Sequence, residues 1–597
     1  MSRPARPAGQ AASQPATPPS PARRARAGLA LTAVSVVTTW TVAALGPSLE
    51  EPALPGGPGQ PPWSFAAHPS PYLVVALAAV ALAAGTAGLV LTMRAARAGW
   101  TMPVWILVSA GIGVAVALAF VPPFGSSDHL NYAAYGRLAV LGHDPYTTTP
   151  AQLARLGDPV GRAVRQFTGM PSVYGALGTA GQALASWLAG TSVRLTVFVL
   201  SLLNVAAFSV TALLLHWLTR GDRGRQLRAA MLWAANPVLL QVLVAGQHID
   251  SQAVVFAIAA IAVFSLSRLA RQPVAGPAEA APGHARHYQG AVARRTMPGA
   301  AWPAAAAGAL IGLGFSVKVT MALAGAGIGA ACLLTWLARR SAADSADVPA
   351  VAGPAGATGI SPADRAGGRR WAAEPLVAAF WLAAGFAVTA VAGLAVWGIS
   401  SLRPGLSEGS FVSNGSPWRS VRVVLGLAIG EHAAEDVVKL AAIAFGVFLL
   451  VRLLRSVREL PGGWPAIGTR GSPDRGLASR PGWPADHVPV LNVVIWLTFA
   501  IAFAWLFSWP YVLPWYDAIG WALIAALPAS SLDWLLLART AALGFGYLTG
   551  AGGVVPAGLA WLEPVVRTGA VQVVLLICAI ALILMTRPAR AAAAMRS

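Results

Sequence analysis

Charge is scarce in this chain. Asp, Glu, Lys and Arg make up 11% of its 597 residues, and of the 42 basic residues only Lys318 and Lys439 are lysines. Soluble globular domains carry about 25% charged residues, so a water-surrounded fold is excluded. Cysteine is scarcer still. Cys332 and Cys578 lie in separate apolar runs, which excludes a disulfide framework and a cysteine zinc site. Acidic residues number only 22, leaving a net charge of +20. What is present in excess is apolar: 56% of residues are hydrophobic, and the mean hydropathy is +0.62. Such a chain buries its apolar surface in a bilayer.

Fourteen runs are long enough to span a membrane, or nearly so: 27–46, 71–93, 103–121, 193–219, 229–245, 251–269, 303–317, 319–338, 373–400, 436–454, 488–507, 512–529, 532–550 and 569–586. The expected fold is all-α: a polytopic integral membrane protein with about 14 transmembrane helices and an outer loop carrying short interfacial helices. Residues 1–26, rich in Pro, Ala and Arg, are expected to be a disordered cytoplasmic N-terminus. Run 27–46 shows no small-residue cleavage site and reads as an anchor helix. An N-terminal transmembrane part (27–269) contains the outer loop 122–192. A cytoplasmic loop (270–302) leads to a C-terminal transmembrane part (303–590) with outer loop 401–435, and 591–597 form a cytoplasmic tail. With the N-terminus inside, the inner segments and the span ends bordering them hold 30 arginines, against nine basic residues in the outer loops. That bias follows the positive-inside rule. It also removes nucleic acid as a partner, because the positive charge is spread along inner-leaflet loops and forms no basic groove.

On this map five polar clusters fall on the outer face: 122–192, 246–250, 316–320, 402–420 and 508–517. A transporter or flippase of lipid-linked sugar would instead place ionisable residues and broken helices near the bilayer midplane. The one-sided clustering points to an outward-facing, membrane-embedded active site.

Residues 127–141 read as a short helix lying along the interface. Asp128, Tyr132 and Tyr135 share one face; Leu130, Ala134, Leu138 and Leu141 share another that can rest on lipid or on the bundle. Asp128 can accept a proton from a sugar hydroxyl, or it can cap the helix. Asp144 precedes Pro145 in a turn, where Asp is commonplace. His248 and Asp250 are too few for a metal site and suit hydrogen bonding to substrate or to the loop of Asp128. Lys318 has no acidic neighbour in sequence; it suits a lipid phosphate or snorkels to the interface. Arg403 and Arg419 suit phosphate or acceptor sugar, or solvent. Trp509, Tyr511, Trp515 and Tyr516 fit an aromatic belt best.

The motifs SSDHLNYAAYGRLAVLGHDPY (126–146), PSVYGALG (171–178), ANPVLLQVLVAGQHIDS (235–251) and GLGFSVKVTMAL (312–323) together resemble the bacterial polyprenol-phosphate-mannose-dependent α-1,6-mannosyltransferases. Those are membrane glycosyltransferases of GT-C type that extend the mannan core of lipomannan. The resemblance runs over roughly 27–590 and is clearest over 120–325. It implies that Asp128 is the catalytic base of an inverting transfer. It further implies that Lys318, Arg403 and Arg419 hold the donor phosphate and that Tyr132, Asp144, Tyr174, His248 and Asp250 bind substrate. The partners implied are a polyprenyl-phosphate sugar donor, a lipid-linked glycan acceptor and membrane lipid; no cofactor or metal is expected. The expected place is the plasma membrane, with the active site extracytoplasmic and both termini cytoplasmic. Two motifs depart from the family. Its Pro-Tyr-Gly-Pro-Leu reads Val173-Tyr174-Gly175-Ala176-Leu177, and its Gly-x-His-Asn-Asp reads Gly246-Gln247-His248-Ile249-Asp250. A donor bearing arabinofuranose or glucose is the alternative these changes leave open.

Overall fold

Each apolar run becomes helix. The computed structural model describes residues 20–274, 299, 301–346, 362–402, 411–456, 458–460, 464–466 and 488–586. The strand pairing among them is one antiparallel hairpin, Arg458–Leu460 with Trp464–Ala466. The first helix, Pro21–Leu45, starts inside the segment expected to be disordered. Proline suits its first turn, and the Ser20 side chain accepts from the Arg23 N–H.

Among the described residues nine helices are long and apolar enough to cross a membrane. The remaining five of the fourteen runs give shorter helices: Val104–Ala119, Asp250–Phe264, Ala301–Phe315, Ala518–Ala526 and Leu532–Gly546. At 1.5 Å per residue, none of these reaches the ~30 Å of a hydrocarbon core. Nine of the fourteen runs thus give helices of full spanning length, and five give shorter ones. All five short helices end next to polar residues: the 122–128 segment, His248–Asp250, Ser316–Lys318, Pro514–Asp517 and Tyr547. Their shortness leaves the room in which those residues meet.

Small residues bring the helices close. Pro21–Leu45 and Pro71–Arg97 cross where Gly28 faces Gly88; a Cβ on either would lie 2.9 Å from the other's carbonyl oxygen. Such contacts replace the hydrophobic drive that lipid cannot supply. Val490–Ser508 runs through the middle of the molecule with nearly every side chain buried, whereas Trp371–Trp397 is largely exposed along its length.

Loop 122–192 folds into the helices Asp128–Val140, Pro150–Arg155, Pro159–Ala163 and Ala176–Ala189. Of the two supports its pattern allowed, lipid or the bundle, the first packs on protein, against Ala176–Ala189 and Val193–Leu218. Leu130, Tyr132, Ala133, Ala134, Tyr135 and Leu138 are all buried, because the rest of the loop wraps the polar and the apolar face alike. Exposed large apolar side chains of the loop are Val140 and Leu141 at the end of the first helix, Leu156, Phe167, and Leu184, Trp187 and Leu188 of the last helix.

Candidate active site

The backbone ahead of Asp128 is tied at two points. The Phe124 N–H donates to the Ala245 carbonyl (3.1 Å), and the Gly125 N–H donates to that of Glu50 (2.7 Å). Gly125 takes φ +81°, a turn that a side chain would strain. Asp128 then opens its helix, where a carboxylate is favoured by the helix dipole. The Gln166 segment crosses this helix start: Ser127 Oγ donates to Gln166 Oε1 (3.0 Å), and Asn131 Nδ2 donates to its carbonyl (3.0 Å).

His248 arrives from a helix that breaks at Asn236–Pro237 and continues as a π-helix, Leu240–Ala245. Gly246 and Gln247 (φ +55°) turn the chain, and the imidazole lies flat on Trp515 at 3.4 Å between centroids and 10° between planes. A Cβ at Gly246 would sit 2.7 Å from that ring. His248 Nδ1 lies 3.5 Å from Asp128 Oδ2, a contact longer than a hydrogen bond.

Lys318 follows a segment clamped from outside: the Leu177 and Gly178 N–H groups both donate to the Ser316 carbonyl. Its Nζ donates to Asp250 Oδ1 at 2.8 Å and sits 3.7 Å from the Tyr516 ring centre. Lys318 and Asp250 are 5% and 6% exposed, so the pair is buried. The expected unpaired cation is therefore matched by a carboxylate 68 residues away, a partner that only folding supplies.

The turn Pro514–Asp517 presents Trp515 and Tyr516. Behind it Asp517 is fully buried, accepting from Arg539 Nε (2.9 Å) and Thr540 Oγ1 (2.7 Å). Both aromatics are buried in the site, at 4% and 7% exposure. The aromatic-belt reading is corrected for these two: their polar partners are His248 and Lys318, not headgroups.

Two clefts meet at Asp128. One, about 520 Å³, runs past Tyr174, Lys318, Tyr511 and Tyr516; the other, about 430 Å³, runs past Gln166, Tyr547 and Arg567. A third, about 380 Å³, is lined by His248 and Trp515 together with Glu50 and Gln241. Burial governs the ionisation of the surrounding groups. It pushes His129 down to about 3 and the Tyr132 hydroxyl above its usual range, with Asp128 adding to the second shift. Between the first two helices burial lifts Glu50 well above the carboxylate range and Glu51 to about 9, partly offset at Glu51 by Arg194.

Folding thus brings together Asp128, Tyr132, Tyr174, His248, Asp250 and Lys318. Tyr132 and Tyr174 meet edge to face at 5.1 Å. Asp144 stands apart; its Oδ1 accepts from the Tyr146 N–H (2.8 Å), the turn bond its sequence suggested. Arg419 is half-buried on Pro417–Ile429 and lines neither cleft at Asp128. Arg403 lies outside the described residues. Sequence reasoning passed over Arg567, Tyr547, Gln166 and Glu50. For Arg567 a signal existed, since it is the one basic residue of 551–568, between the last two apolar runs. Among the described residues no three His, Cys, Asp or Glu side chains cluster as metal ligands.

A family profile described as alpha-(1->6)-mannopyranosyltransferase, N-terminal domain, matches residues 25–334. Among solved structures, the chain is similar to the archaeal oligosaccharyltransferase AglB from Archaeoglobus fulgidus, in complex with an inhibitory peptide and a dolichol-phosphate. The identity is 12% and the TM-score 0.31, over 80% of this chain and 56% of that one. The chain thus spans little more than half the length of that structure. No curated protein matches.

Proposed function

The chain belongs to the alpha-(1->6)-mannopyranosyltransferase family, and from that membership we propose that it transfers mannose from polyprenyl-phosphate mannose to a growing lipid-linked mannan of lipomannan type. In this reading it is a GT-C-type glycosyltransferase of the plasma membrane, with its site on the extracytoplasmic face and its termini in the cytoplasm. The arginine bias of the inner segments supports that orientation.

One observation carries the reading. Asp128 stands where two clefts meet, with its side chain 18% exposed and His248 Nδ1 against its carboxylate. Transfer of a glycosyl group between two lipid-linked partners needs two approaches to one base. In the proposed step the acceptor O–H proton passes to the Asp128 carboxylate while the oxygen attacks the anomeric carbon. The carbon–oxygen bond to phosphate breaks, the lipid phosphate leaves with the electron pair, and the configuration inverts. His248, held flat by Trp515, orients Asp128. Tyr174, packed edge to face on Tyr132, forms an aromatic wall beside it, and Lys318, paired with Asp250 behind it, lines the same cleft.

The test is acceptor labelling from radiolabelled polyprenyl-phosphate mannose in membranes, with an oligomannoside acceptor. Asp128→Ala and Asp128→Asn are expected to lose at least about 100-fold in rate, the span of general-base contributions, with the protein still monodisperse in detergent. A wild-type rate in either variant sinks the assignment of the base. Labelling from arabinofuranosyl or glucosyl donors in place of mannose moves the donor while leaving the enzyme.

A further inference from the structure

Among the cations near Asp128, Lys318 already has its counter-ion. The Lys318–Asp250 contact is 2.8 Å long and buried at both ends, so the pair brings little net charge to a ligand. Arg567 is differently placed. It lines the same cleft as Asp128, its side chain is 22% exposed, and its guanidinium carbon lies 4.6 Å from the centre of the Tyr547 ring. Its carboxylate partner is Glu563, four residues back on the same helix, at 3.4 Å and 42% exposed. That contact is long and wet, and surface pairs of this kind contribute little. Glu563 is moreover engaged on its other oxygen, which accepts from Asn414 Nδ2 at 2.7 Å. A guanidinium offers five donors in a fixed fork suited to phosphate. Here one nitrogen reaches Glu563, and the guanidinium also hydrogen-bonds the Tyr547 side chain.

The surroundings of Arg567 narrow the ligand further. It sits in a π-helix, Leu562–Ala570, that runs directly into Val571–Met585. Along this continuous helix Val573, Ile577, Ile580 and Leu584 form an exposed apolar face, while Arg567 continues the buried face of Val571, Leu575 and Leu582, so the helix that carries the cation has one side open to lipid. The cation thus stands at the end of a lipid-facing helix, turned inward to the cleft. At the other end, the loop after Leu532–Gly546 packs on the Asp128 segment: a Cβ at Gly550 would lie 2.8 Å from the Gly125 carbonyl oxygen. An inverting displacement needs base and leaving phosphate on opposite sides of the anomeric carbon. A cleft lined by both Asp128 and Arg567 can hold that carbon between them.

We infer that Arg567 is the centre of a subsite for a phosphate ester carried on a membrane lipid, and that this cation, not Lys318, receives the phosphate charge. The inference rests on the transfer reading for its role in turnover but not for binding. The binding test therefore needs no turnover. Purified wild type, Arg567→Gln, Arg567→Lys and Glu563→Gln are titrated with a polyprenyl phosphate, and separately with phosphatidic acid, reading the midpoint of thermal protection. Arg567→Gln should weaken lipid-phosphate binding about 10-fold or more, the worth of a charged hydrogen bond. Arg567→Lys should restore part of it, because charge returns without the fork. Glu563→Gln should tighten binding, since it removes the competing carboxylate; a merely structural Glu563–Arg567 pair predicts no such gain. Loss confined to polyprenyl phosphate identifies the donor lipid, and equal loss for phosphatidic acid identifies a general lipid-phosphate seat. Unchanged midpoints for both lipids in Arg567→Gln overturn the inference. If wild type transfers mannose while those midpoints stay unchanged, this inference alone fails. If lipid-phosphate binding depends on Arg567 but no sugar is transferred, the transfer reading alone fails.

Discussion

His129 and Glu51 lie on opposite sides of the pH scale for one cause, burial. His129 is fully buried beside Asp128, with both ring nitrogens unpartnered. An imidazole in the unfolded chain takes up a proton below its ordinary value of 6.5, whereas His129 resists until about 3. Between those values only the unfolded chain is protonated, so stability falls as pH falls, by up to about 1.4 kcal/mol per unit. Asp128 opposes this shift, while His248 and Arg165 reinforce it. Glu51 works the other way. From 4.5 to about 9 the unfolded chain ionises while the folded one stays neutral, so stability falls as pH rises. Thermal melts across pH 4.5–9 should therefore separate the two: His129→Gln flattens the loss on the acid side, and Glu51→Gln flattens the loss on the alkaline side. Melting curves of both variants that track wild type at every pH would remove burial as the cause. The sequence displays both residues but not their burial, since the elements covering them come from distant parts of the chain.

At the scale of the element, the helix that bears Asp128 is placed by contact with Ala176–Ala189. A Cβ added at Gly136 would lie 2.1 Å from the Gln182 carbonyl oxygen, so the two helices touch backbone to backbone there. Gly136→Ala must push them apart, at a cost of about 1–3 kcal/mol for overpacking. Because Asp128 sits two turns earlier on the same rigid helix, the variant should also lose transfer rate. A lower Tm together with a rate loss is the expected result; an unchanged Tm would mean that the helices are held elsewhere. The existence of this helix and its length were legible from the alternation of apolar and polar residues over 127–141. Its surroundings were not, because an interfacial helix and one wrapped by its own loop share the same periodicity. The helix Arg223–Ala245 shows the same limit: 229–245 reads as one run, but it breaks at Asn236–Pro237 and a π-helix beyond the break turns His248 onto Trp515.

At the scale of the whole molecule, orientation is the property open to the most direct check. Cys332 and Cys578 are both buried, so wild type should resist a membrane-impermeant maleimide. Leu156→Cys, at a position 65% exposed in loop 122–192, should label in intact cells. Gly221→Cys, exposed with nothing within 4 Å of an added Cβ, should label only after the membrane is opened. The reverse pattern would invert the topology and with it the extracytoplasmic site.

Composition and apolar runs alone determined that this chain is a many-helix membrane protein, because burial in lipid demands long apolar helices whatever their arrangement. The motif around Asp128 pointed to the site for a similar reason: a carboxylate at a helix start just past a span is a local feature. Tertiary structure alone decided who stands beside whom. Asp250 neutralises Lys318, Trp515 and Tyr516 leave the expected belt to hold His248 and Lys318, and Arg567 faces the cleft of Asp128 from the far end of the chain. Those pairings join residues tens to hundreds of positions apart, and local periodicity holds no record of contacts made across such distances.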